Sequence, residues 1–147
     1  VDNISLHVNG ADSVIKALET ASTRLDLASR TIVDRGALLV ANYAKKEFKP
    51  SGTPDDNYPS PTRRTGNLRN SIERGEPERK STGTWSNKVG PTVVYGRRIE
   101  LGFPGINDGK RGHQRTRAFP YLKPGFEKSR SDLIELYNSE WRKALDF

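Results

Sequence analysis

Apolar residues recur at Val14, Leu18, Ala21, Leu25, Ala28 and Ile32, a four-three-four-three-four spacing that places them on one face of a helix. Asp12, just upstream, is a residue type that caps helix N-termini. Past Ile32 a second stripe opens with Val33, Ala37, Val40, Ala44 and Phe48, so the C-terminal half is apolar over a wider arc and is expected to be the buried half. The pattern predicts a helix over residues 11–48, about 50 Å long at ~1.5 Å per residue. That exceeds what a compact small domain needs, and implies either a bend near Gly36 or an N-terminal half that projects toward a neighbour. Ahead of it, residues 1–10 alternate weakly (Ile4, Leu6, Val8) and read as an arm or a short strand.

Residues 49–65 carry four prolines and few large apolar side chains, so the helix stops and a long loop follows. The segment TGNLRNSI then reads as a helical turn: Thr65 caps, and Leu68 and Ile72 stand four apart on one side. Strand signals occupy 72–74, 82–89 and 92–101, with Gly90-Pro91 turning the last two into a hairpin. In the last of them Val93, Tyr95, Ile99 and Leu101 share one face, and Trp85 and Val89 would join it from the partner strand. Residues 103–118 form a glycine-rich basic loop. Pro120 and Pro124 frame an extended lead-in, Pro124 suits the first helical position, and Phe126, Leu133, Tyr137, Trp141 and Ala144 recur at helical spacing within 119–147. That stripe is expected to lie against the sheet. The fold class is α+β: a small antiparallel sheet packed by a long N-terminal helix and a C-terminal helix, in one domain with two long loops.

Composition sharpens this picture in three respects. Hydrophobic residues are only 33% and charged residues 29% of the chain, so the core is lean and burial between subunits is expected to supplement folding. The absence of Cys excludes a disulfide framework, a thiolate metal site and a thiol nucleophile. No apolar run approaches the ~20 residues of a membrane span, which points to a soluble chain made in a cytoplasm. The net charge of +7 favours an anionic partner or an acidic neighbouring subunit. Its excess is concentrated in Arg63, Arg64 and Arg69, and again in Lys110, Arg111, Arg115 and Arg117.

Candidate chemistry is sparse. A small nuclease would need Glu100 as base, His113 as acid and Arg98 or Arg117 on the phosphate, yet both histidines sit in weakly structured places, His7 in the arm and His113 among glycines. Two lone histidines leave only carboxylates for a metal, and Asp55-Asp56 reads better as a solvated turn. GKRGHQRTR has the amides and arginines to cradle phosphate but not the spacing of a phosphate-binding loop. Trp85, Tyr95, Tyr137 and Trp141 lie on apolar faces, as core or interface residues do. Gly66, Gly96 and Gly102 suit turns or close backbone approach. Neither a catalytic constellation nor a cofactor site emerges.

Three segments in order, TGNLRNSI, VVYGRRIELG and RAFPYLKPGFEKS, resemble the pattern of the neck proteins of long-tailed bacteriophages, the head-tail joining and tail-completion family. The positions that carry the resemblance are Thr65, Gly66, Leu68, Ser71, Ile72, Tyr95, Glu100, Leu101, Gly102, Pro120, Leu122 and Pro124. Gly96 and Leu101 replace the small residue and aromatic usual at their places. The resemblance implies a non-enzymatic virion protein without cofactor. Copies of it would form a ring, expected as a hexamer, between portal-side neck proteins and the tail tube protein, around a channel through which DNA passes. Arg63, Arg64, Lys110, Arg111, Arg115 and Arg117 would then contact a neighbouring subunit or, without sequence preference, the DNA. The alternative is a basic nucleic-acid-binding module or a small nuclease.

Overall fold

The computed structural model describes residues 10–49, 66–105 and 117–145. Helix α1 (Ala11–Lys46) runs without a break through Gly36, two residues short of the expected end, where the Glu47 N–H bonds back to the Ala44 carbonyl. Its burial follows the sequence pattern: residues 11–20 are all exposed, whereas Ala28, Ala37, Ala41 and Ala44 are buried. After α2 (Asn67–Asn70) come four short strands, β1 (Ile72–Arg74), β2 (Glu78–Ser81), β3 (Thr84–Ser86) and β4 (Val89–Pro91). Then follow α3 (Gly96–Leu101) and α4 (Leu122–Leu145).

The strands nest as the two arms of one interrupted hairpin. β1 pairs antiparallel with β4, Ile72 opposite Pro91 and Arg74 opposite Val89, and inside that pair β2 meets β3, Arg79 opposite Trp85, with a bulge before Ser81. The reversal is therefore at Thr82-Gly83 rather than at Gly90-Pro91, which lie within β4. A two-residue turn with glycine matches the twist of paired strands, and Gly83 takes a φ of 73° there.

A larger correction concerns residues 92–101, expected as a strand. The chain turns after Pro91 and forms α3 from Gly96 to Leu101. Its residues, GRRIEL, include good helix formers, and the pair Tyr95 and Ile99 fits a helical period as well as an alternating one. Val94, within that expected strand, is 97% exposed.

Helix α4 departs from expectation in its start and its partner. It begins at Leu122, so Pro124 is its third residue, still within the first turn where a missing N–H costs nothing. It packs on α1, not on the sheet: Gly125 lies against Ala44, Leu133 reaches Gly36, and Glu140 bonds Arg35 at 2.8 Å, so the helices run antiparallel. The buried face is Gly125, Ser129 and Leu136, while Phe126 and Tyr137 of the expected stripe are exposed. The core forms where these elements converge, from Ala41, Ala44, Phe48, Ile72 and Tyr121, flanked by Leu68, Val89, Ile99 and Leu122.

Candidate functional site

The segments singled out in the sequence meet at the junction of α3 and α4. The Glu100 carboxylate accepts the backbone N–H of Tyr121 at 2.7 Å, of Leu122 at 2.9 Å and of Lys123 at 3.1 Å. Pro124 has no N–H, and the Gly125 N–H makes the first bond along the helix, to the Tyr121 carbonyl at 3.1 Å. Every orphan donor of the first turn is thus accounted for by one carboxylate and one proline. A negative charge at that end also suits the helix dipole. The Phe119 N–H bonds the Ile99 carbonyl at 2.7 Å and fixes the lead-in through Pro120.

Tyr121 is fully buried, its ring 5.0 Å from that of Phe48, and its hydroxyl donates to the Gly96 carbonyl at 3.2 Å. Burial, and after it the nearby Glu100 charge, push the phenol well above its ordinary pKa, so it stays a donor. Gly96 in turn lies so close to Pro91 that a Cβ there would stand 2.3 Å from the proline Cγ and 3.2 Å from Leu68. Ser71 is buried, its hydroxyl donating to the Leu68 carbonyl at 2.8 Å while its own carbonyl accepts the Thr92 N–H at 2.9 Å. Leu68, Ile72, Gly96, Glu100 and Leu122 therefore belong to one local unit. Gly66 precedes α2, Gly102 ends α3, and Tyr95, before α3, is 45% exposed.

The basic candidates fall differently. Arg117 is exposed, whereas Arg63, Arg64, Thr65, Lys110, Arg111 and Arg115 lie outside the described residues, as do both histidines and Asp55-Asp56. Arg69 donates to the Lys45 carbonyl at 3.0 Å, tying α2 to the end of α1. Arg98 stacks over the Phe103 ring at 4.3 Å, and both oxygens of Glu100 are already engaged by backbone donors. Among the described residues no group of three His, Asp or Glu is placed to hold a metal ion, and no helix is long and apolar enough to cross a membrane.

A second polar centre lies between α1 and the β2-β3 pair. Asp26, midway along α1, accepts the Gly83 N–H at 2.9 Å and the Trp85 indole N–H at 3.0 Å, and pairs with Arg79 at 3.1 Å. Those contacts, led by the indole and the Gly83 amide, hold its carboxyl below the usual carboxylate range. With Arg30 over the Trp85 ring and Arg74 paired to Asp34, this cluster fastens the strands to α1. No spacing in the sequence marks it, since the partners come from elements nearly sixty residues apart. Compared with known protein families, curated proteins and solved structures, the chain shows no match.

Proposed function

We propose that the chain is a structural protein of the neck of a tailed bacteriophage, where a ring of its copies completes the tail end and joins head to tail around the DNA channel. The observation that carries the reading is the convergence of the three phage-like segments. The acidic residue that closes one segment caps the helix opened by the aromatic-Leu-x-Pro of the next, and Leu68 of the first packs beneath both. Residues that resemble a family's pattern in separate stretches thus have one shared structural reason to occur together. Support for assembly comes from α1, whose first ten residues are exposed, Val14, Ile15 and Leu18 among them. In this role the protein turns nothing over and needs no cofactor; its partners are its own copies, portal-side neck proteins and the tail tube protein, and its place is the virion.

The basic loop serves, in this reading, to contact an adjacent subunit, with Lys110 and Arg111 meeting acidic side chains. Deleting the gene from its phage should leave DNA-filled heads and finished tails unjoined. Particles with intact necks that lack the chain would overturn the proposal. Replacing Lys110 and Arg111 by alanine should impair joining and leave DNA affinity unchanged. Loss of packaged DNA from otherwise complete particles would instead place the loop on the channel.

A further inference from the structure

Charge is not spread evenly over the molecule. The last turn of α1, α2, α3 and the start of α4 converge at one end. There Arg69 Nε reaches the Lys45 carbonyl at 3.0 Å, Lys128 holds Glu47 at 2.7 Å, and Glu100 receives the Lys123 N–H at 3.1 Å. The residues of this end, 45–49, 66–71, 96–105 and 117–128, carry nine lysines and arginines against three acids, Glu47, Glu100 and Glu127. Over the rest of the described residues the signs nearly cancel, eleven bases against ten acids. Almost all of the net positive charge of the described residues therefore sits where the core elements meet.

The acids at this end do little to offset it. Glu47 faces Lys128, Glu100 is turned onto the amides of α4, and only Glu127 is exposed. Lys46, Arg97 and Lys123 are exposed, and among the described residues none of the three takes part in an ion pair. Lys46 lies over the Tyr43 ring at 4.7 Å, a contact that leaves its charge in place. A small anion finds no cradle here, because the amides at the start of α4 are taken by Glu100. Its charge would have to be met by side chains that stand on separate elements. That arrangement suits a partner whose negative charge is spread along its length. The surface of an acidic protein also carries cations, which this end would repel, whereas a phosphate backbone presents one sign throughout.

We infer that this end of the molecule meets the phosphate backbone of duplex DNA without reading its sequence. The inference rests on the neck reading above and says which end of each copy faces the channel. It is separate from the contact assigned there to Lys110 and Arg111, which is made to a neighbouring subunit.

Anisotropy of a labelled duplex, titrated with the full chain between about 50 and 200 mM salt, tests it. Binding should weaken steeply with salt and be equal for two unrelated sequences. Lys46→Ala, Arg97→Ala and Lys123→Ala should each lower the slope of log affinity against log salt by about one. All three positions are exposed, so circular dichroism and melting should stay native-like. Arg24→Ala and Arg142→Ala, exposed on the far halves of α1 and α4, should leave the slope unchanged. No binding at the lowest salt would overturn the inference. So would equal losses from both sets of variants, since net charge and not this end would then be responsible. Tighter binding to a single strand than to the duplex would also overturn it, in favour of bases stacked on Tyr95 and Phe126, which are 45% and 53% exposed. A triple variant that binds DNA as the native chain does but fails to join heads to tails would assign the end to an acidic protein instead. DNA binding through this end by a chain absent from phage necks would sink the functional proposal alone.

Discussion

Glu100 and Tyr121 stand 21 residues apart, yet the carboxylate of one receives the backbone N–H of the other at 2.7 Å, and with it those of Leu122 and Lys123. A helix N-terminus ordinarily finds its cap in the residue just before it. Here the cap comes from another helix, so the start of α4 is fixed in space relative to α3 as well as satisfied. That couples the long helix pair to the strands, because α3 rests on Pro91 of β4 through Gly96.

Glu100→Ala should lower stability by about 2 kcal/mol, the upper end of what loss of a cap costs, since three donors lose their partner together. Glu100→Gln, which keeps an accepting oxygen but no charge, should fall between the two. Urea unfolding with an unchanged slope would measure this. An alanine variant as stable as the native chain would show that water replaces the cap at no cost.

The contact beneath the cap is less forgiving. Gly96→Ala puts a methyl 2.3 Å from Pro91 Cγ and 2.6 Å from its Cβ, atoms of a ring that cannot rotate aside. We expect a loss of about 3 kcal/mol or more, the range of a forced overpacking. Tyr121→Phe, which removes only the hydroxyl that bonds the Gly96 carbonyl, should cost about 1 kcal/mol. If the two costs were equal, the hydroxyl and not the close approach would hold α3 in place.

How much of this was legible in the sequence differs by element. Helix α1 was, because its period persists over many turns and no local alternative competes. The six residues of α3 are too few for a period to be read, and Tyr95, Ile99 and Leu101 fit alternation equally well. Strand β2 is exposed at all four positions, ERKS, so no apolar alternation announced it. In α4 the bulky residues drew the expected stripe, whereas the closest packing is made by Gly125 and Ser129, which carry little hydrophobic signal. At the site, Gly96 and Glu100 stand out by residue type, but the bonds that give them a purpose run between elements distant in sequence.

Asp26 should make stability depend on pH in a definite direction. Its folded pKa lies below the unfolded one, so the unfolded chain binds more protons in between. The stability it contributes is present above about pH 4 and is lost as pH falls through the folded value. Asp26→Asn keeps the shape but not the charge facing Arg79. Melting temperatures of the native chain and this variant should therefore differ at neutral pH and converge below about pH 4. A difference that does not change with pH would show that the Trp85 and Gly83 hydrogen bonds act without help from the charge.

Gly125 offers the sharpest test of how α4 sits on α1. In an isolated helix, alanine would be favoured over glycine by about 1 kcal/mol. In this position a Cβ would lie 2.6 Å from both the Cα and the backbone nitrogen of Ala44, closer than packed atoms come. Backbone cannot swing away, so the helices would have to separate along their length, opening Ser129 and Leu136 to water. Gly125→Ala should then destabilise by about 2 kcal/mol or more despite its better helix propensity. Adding Ala44→Gly should recover little, because the conflict is with main-chain atoms that every residue has. Gly36→Ala is the control, since its Cβ would meet only Leu133 Cδ2, at 3.1 Å, the movable end of a side chain. That variant should stay within about 1 kcal/mol of the native chain, propensity and crowding nearly offsetting each other. Full rescue of Gly125→Ala by Ala44→Gly would mean that side chains alone set the spacing, and that the two helices pack less closely than the structure has them.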